Sequence, residues 1–115
     1  MDVIDKLNRW RHLIEPETSR GLTAVPWSAV PARAGKVFEG AHSVVVTHDV
    51  RIASGMARSI WVAVGVLDEV MQLVDEVEDS ARRDGMAAVI FMGRKGWLRA
   101  ARGYRSECVV GVKEL

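Results

Sequence analysis

The chain has 115 residues, 49% of them hydrophobic, and a formal net charge of +1. A chain of that length can bury about two thirds of its unfolded surface, so one domain over residues 1–115 is expected to hold its core without staples. The near balance of charge gives no general attraction to nucleic acid or to an anionic membrane, and the single cysteine, Cys108, excludes an internal disulfide.

Asp2 can cap a first helix on which Val3, Leu7, Trp10 and Ile14 share a face, with Pro16 just beyond its end. Glu15 to Gly21 reads as a polar connection. A shorter helix, or a turn of 3₁₀, fits Ala24 to Ala34, where Pro26 suits a first turn and Pro31 would cost a helix interior about 3 kcal/mol. Residues 1–35 thus form a helical amino-terminal part, and residues 36–115 a sheet-and-helix core. In that core Lys36–Phe38, Ser43–Val50 and Met56–Val64 read as three strands of an antiparallel meander, with Ile52–Gly55 as the second turn.

From Leu67 to Asp84, the residues Leu67, Val70, Met71, Val74, Val77 and Ala81 recur at steps of three and four, one apolar stripe on a helix that Gly85 ends. Met86–Met92 carries no polar side chain, which suits a central strand buried on both faces. A short helix over Arg94–Arg102 and a last strand over Tyr104–Lys113 follow. The pattern is an α/β one, a mixed sheet with helices on both faces.

No stretch approaches the ~20 apolar residues that a membrane span needs, and Asp2, Asp5 and Lys6 interrupt any secretory signal at the amino terminus. A soluble protein made in a reducing compartment is expected, with Cys108 as a small buried residue. His42 and His48 stand six apart and would share one face of an uninterrupted strand, but two imidazoles without a third ligand make a poor metal site, so none is expected. No serine sits in a nucleophile elbow, and Gly93–Gly96 lacks the Lys-Ser/Thr ending of a phosphate loop.

Several segments resemble a known family. Gly93-Arg94-Lys95-Gly96-Trp97, Gly103-Tyr104 and Lys113-Glu114-Leu115, with Phe38-Glu39-Gly40, Ser43 to Thr47, Trp61 to Gly65 and Leu67-Asp68-Glu69 upstream, are similar in order and spacing to a family of small phage-encoded proteins related to the GNAT (N-acetyltransferase) fold. The resemblance covers residues 37–115 and implies a reduced GNAT-like fold without its usual first strand. It also implies a setting among tailed-phage structural proteins, in the virion or the bacterial cytoplasm.

Enzymes of that fold hold the pyrophosphate of acetyl-CoA on backbone N–H groups in the loop after their fourth strand, an anion site at a helix N-terminus. The corresponding loop is Ala63 to Glu69. It has one glycine and no basic residue, and its two carboxylates, Asp68 and Glu69, stand where a phosphate would sit and suit the helix dipole. No carboxylate lies in Met56–Val66 to act as base, and Arg99 stands where the fold's acid is expected. The expectation is a non-catalytic protein with no cofactor. The alternative is an acetyl-CoA-dependent N-acetyltransferase using Gly65 and Val66 as backbone donors and Tyr104 as general acid.

Charge is segregated. Asp68, Glu69, Asp75, Glu76, Glu78 and Asp79 lie on the long helix, whereas Arg94, Lys95, Arg99, Arg102 and Arg105 gather around the short one. Each set can be the solvated face of its own helix. The functional alternative is contact between the acidic face of one copy and the basic face of another, or of a phage structural protein, with Asp75, Glu76, Asp79, Arg94, Lys95, Trp97, Arg99 and Arg102 in the contact. Nucleic acid on the basic set is a lesser alternative, and Trp27 is a second candidate anchor beside Trp97.

Overall fold

The computed structural model describes residues 2–20, 24–91, 100, 103–105, 113 and 115. The elements are α1 (Val3–Arg9), α2 (Arg11–Thr18), a 3₁₀ turn (Trp27–Ala29), α3 (Val30–Arg33), β1 (Lys36–Glu39), β2 (Val44–Ile52), β3 (Gly55–Val64), α4 (Leu67–Arg83) and β4 (Ala88–Phe91). The expected helix over Arg94–Arg102 and strand over Tyr104–Lys113 fall outside the described residues, apart from Ala100, Gly103 to Arg105 and Lys113.

Asp2 caps α1 as expected, its Oδ1 accepting the Asp5 N–H at 2.9 Å. The first helix does not run on to Pro16. It breaks at Trp10, whose backbone leaves helical geometry, and α2 then carries Pro16 inside it. Pro16 forfeits an intrahelical bond, but the same segment buries Thr18 and packs Ile14 into the core against the sheet. Burial of one isoleucine is worth about 1.5–3 kcal/mol, comparable with the proline penalty. Ser19 closes the end by donating its N–H and Oγ–H to the Glu15 carbonyl at 3.0 and 2.7 Å. The segment expected as helix over Ala24–Ala34 is helical only from Trp27, as the 3₁₀ turn and α3, and Pro31 is accommodated in the first turn of α3.

The sheet order is β1-β2-β3-β4; the first two pairings are antiparallel, and β4 joins β3 in parallel after α4 crosses over. The expected meander is present. A bulge interrupts it: Val46 pairs with Val62 and Thr47 with Ile60, so Trp61 is the extra residue. The bulge explains why Ile60 and Ala63 join the core under α4 whereas Trp61, Val62 and Val64 join the core under the amino-terminal helices.

These two cores lie on opposite faces of the sheet. One combines Leu7, Trp10, Ile14 and Val30 with Val37, Val44, Val46 and Val62; the other sets Val70, Leu73, Val74 and Val77 of α4 against Val45 and Ile60. The α4 stripe read from the sequence is the buried face, except that Leu67 is exposed and Leu73 replaces it. Gly85 ends α4 with φ +72°: its N–H reaches the Arg82 carbonyl at 3.2 Å, and the Met86 N–H reaches the Ala81 carbonyl at 2.9 Å, a Schellman stop. That stop takes Met86 out of the expected strand. Ala88 is exposed and Val89 to Phe91 are half-buried, so β4 is not the doubly buried strand that its composition suggests.

Candidate functional site

The loop from β3 into α4 is fixed to the turn between β1 and β2. Gly65 adopts φ +131°, and a Cβ there would run into Ser43. Ser43 is fully buried, and its Oγ accepts the Val66 N–H at 2.8 Å. On the other side of the contact, Glu69 Oε1 accepts the His42 N–H at 2.7 Å, while the Gly40 N–H closes the turn onto the Ser43 carbonyl at 2.8 Å. The His42 N–H first, then the Ser43 hydroxyl and the Ala41 N–H, hold the Glu69 carboxyl below its ordinary range.

Glu69 therefore braces a neighbouring turn instead of capping its own helix. Asp68 is exposed, and among the described residues no side chain caps α4 at Val66. The sequence placed both carboxylates in the mouth of the loop; the fold assigns the satisfying of Val66 to Ser43. Of the two candidate donors, Gly65 is pressed against Ser43 and Val66 already has its acceptor.

Tyr104 packs into the core under α4, with its ring edge-on to Phe91 at 6.3 Å. Its hydroxyl donates to Glu78 Oε2 at 2.8 Å. Burial, and then the Glu78 carboxylate, push the phenol well above its ordinary value, which weakens it as an acid. Asp75, Glu76 and Asp79 lie on α4, and Asp79 accepts from Arg82 on the same helix at 3.0 Å. Arg94, Lys95, Trp97, Arg99 and Arg102 lie outside the described residues, as does Cys108.

The strongest polar cluster is one that sequence reading passed over. Arg58, 1% exposed in the middle of β3, donates Nε to Asp49 Oδ1 at 3.0 Å, Nη1 to Ser80 Oγ at 2.8 Å and Nη2 to Asp84 Oδ2 at 2.9 Å. Asp84 also meets Lys36 Nζ at 3.4 Å. The network ties β2, β3 and the end of α4, and each nitrogen of the buried guanidinium has an acceptor. A lone arginine inside a mostly apolar strand was the available signal.

His42 and His48 do not share a strand, because β2 begins at Val44 and His42 sits exposed in the preceding turn. Among the described residues, no group of three or more His, Cys, Asp or Glu side chains is placed to hold a metal ion. No described helix is long and apolar enough to cross a membrane.

No family model and no curated protein matches the sequence. Solved structures do match the fold. An aminoglycoside acetyltransferase, meta-AAC0020, from an uncultured soil metagenomic sample aligns over 98% of this chain and 90% of its own at 10% identity, with a TM-score of 0.70. The fold is acetyltransferase-like. Wild-type TTHA1254 from Thermus thermophilus is also similar, at 20% identity over 88% of this chain and 90% of its own, with a TM-score of 0.58, and its point mutant gives 0.60. At these identities the likeness is one of fold, so the acetyltransferase-like architecture is common ground and the chemistry has to be argued from the side chains.

Proposed function

We propose that this chain uses its acetyltransferase-like fold for binding other proteins, without acetyl transfer, as a virion-associated or assembly protein of a tailed phage. The observation that carries the non-catalytic reading is the Ser43 contact: the loop that would cradle a pyrophosphate has its Val66 donor engaged at 2.8 Å and its Gly65 backbone packed on the same side chain. The packing of Tyr104 against Phe91 and its bond to Glu78 favour the same conclusion, because a phenol held that way is a poor proton donor. The phage setting is supported by the sequence resemblance alone. Asp75, Glu76 and Asp79 on α4 are offered to a basic partner, and Arg94, Lys95, Trp97, Arg99 and Arg102 to an acidic one, in a second copy or a phage structural protein.

A second reading, an acetyl-CoA-dependent N-acetyltransferase, is favoured by the fold likeness and by the uncapped start of α4. Calorimetric titration with acetyl-CoA separates the two. The binding reading expects no heat at ligand concentrations up to about 1 mM, and a micromolar dissociation constant overturns it. Mass spectrometry of purified virions tests the phage setting, where absence of the polypeptide from both virions and assembly intermediates removes that part. Sedimentation of the full chain in low and high salt, beside a variant carrying Asp75→Lys, Glu76→Lys and Asp79→Lys, tests self-contact through α4. Association should weaken with salt and be lost in the variant.

A further inference from the structure

His48 sits where three elements meet. Its imidazole approaches the Trp61 ring edge-on at 5.9 Å, and the Arg33 guanidinium at the end of α3 lies over the same indole at 4.9 Å. Among the described residues, His48 Nδ1 is buried with no hydrogen-bond partner. The chain leaving α3 is held against this strand: the Gly35 N–H donates to the Thr47 carbonyl at 2.7 Å, and a Cβ at Gly35 would lie 3.5 Å from the His48 Cα. The bulge makes this arrangement possible, because the extra residue of β3 is Trp61 itself, turned onto the face of the amino-terminal helices.

We infer that His48, Trp61 and Arg33 form a pH-sensitive latch, which keeps α3 and the Ala34–Gly35 link on the sheet while His48 is neutral and lets them go once it is protonated. A neutral ring can leave one nitrogen unpaired at modest cost. An imidazolium would set a second positive charge beside Arg33 and bury an N–H donor that finds no acceptor.

The groups facing His48 divide clearly among the described residues. Arg33 from α3 opposes protonation, and Asp49 on the same strand favours it, although Asp49 is engaged by Arg58. From β3 come Ser59 across the ladder and Trp61, both uncharged. Lys36 of β1 is directed to Asp84. Burial first, and Arg33 second, hold the imidazole below its ordinary value. With the folded value depressed, the latch's stabilisation is complete above the unfolded value of about 6.5 and is lost as pH falls below it.

An NMR titration of the full chain from about pH 8 to about pH 5 tests the latch through the His48 imidazole, the Trp61 indole N–H and the Ala34 amide, which donates to the Val30 carbonyl at 3.0 Å. The His48 midpoint should lie below the ordinary imidazole value of about 6.5. The Trp61 and Ala34 signals should move with it, and Ala34 exchange, corrected for its intrinsic pH dependence, should rise roughly tenfold or more while Val77 in α4 stays protected. His48→Phe keeps an aromatic ring that cannot be protonated and should hold both signals constant, whereas Arg33→Leu should raise the His48 midpoint. A Trp61 or Ala34 transition that persists in His48→Phe overturns the inference, as does a wild-type His48 titration to which neither signal responds. If His48→Phe does not fold, His48→Gln carries the same comparison.

Discussion

A buried arginine and a half-buried tyrosine illustrate what single residues contribute. Arg58 is 1% exposed, whereas Asp49 and Asp84 keep 38% and 40% of their side-chain surface in water. Removing a buried ion's partner costs about 3–5 kcal/mol in a closed site, but these carboxylates can rehydrate. Arg58→Met should therefore lower unfolding free energy by about 2–3 kcal/mol, read as a reduced denaturation midpoint with an unchanged slope. Tyr104 is the single tyrosine of the chain, so absorbance at the phenolate band reports it alone. Its ionisation should be delayed well past the ordinary ~10, and Glu78→Gln should bring the midpoint back towards that value. Because the folded phenol is the weaker acid, its contribution to stability is whole below pH ~10 and fades as pH climbs towards the folded value.

Among the elements, the joint between the β3–α4 loop and the β1–β2 turn is the least tolerant of change. Gly65→Ala would force a side chain into a left-handed backbone position already faced by Ser43, and should cost about 1–3 kcal/mol in thermal or chemical unfolding. Ser43→Ala leaves the Val66 N–H without its acceptor, a loss of about 1–2 kcal/mol. A gain of acetyl-CoA binding in Ser43→Ala, absent in the parent, would mean that this one hydroxyl occupies the anion site. Along the β1 edge of the sheet, the Gly40 to Ser43 bond sets an alternation that turns the polar backbone of Val37 and Glu39 outward. Lys6 Nζ covers the Val37 carbonyl at 3.4 Å, and Glu39 is paired with Arg9 at 2.6 Å. A lysine on an open edge discourages strand addition. Lys6→Ala should change stability by less than about 0.5 kcal/mol yet increase self-association, measured by sedimentation.

At the scale of the fold, among the described residues, one sheet separates two cores that share no buried residue, each closed by its own helices. The sequence by itself determined the α4 stripe, the three-strand meander, the Asp2 cap and the Gly85 stop, because each follows from spacing, a turn residue or a cap within a few positions. Tertiary structure alone decided the break at Trp10, the inclusion of Pro16 in a helix, the bulge at Trp61, and the pairing of Ser43 with Val66 and of Arg58 with Asp49, Ser80 and Asp84. The side-chain pairings depend on partners 9 to 26 residues away in the chain, whose approach no local pattern encodes. The same distance explains Glu69: helix position places Asp68 and Glu69 in the first turn of α4, as observed, but the turn 27 residues upstream decides that Glu69 accepts the His42 N–H.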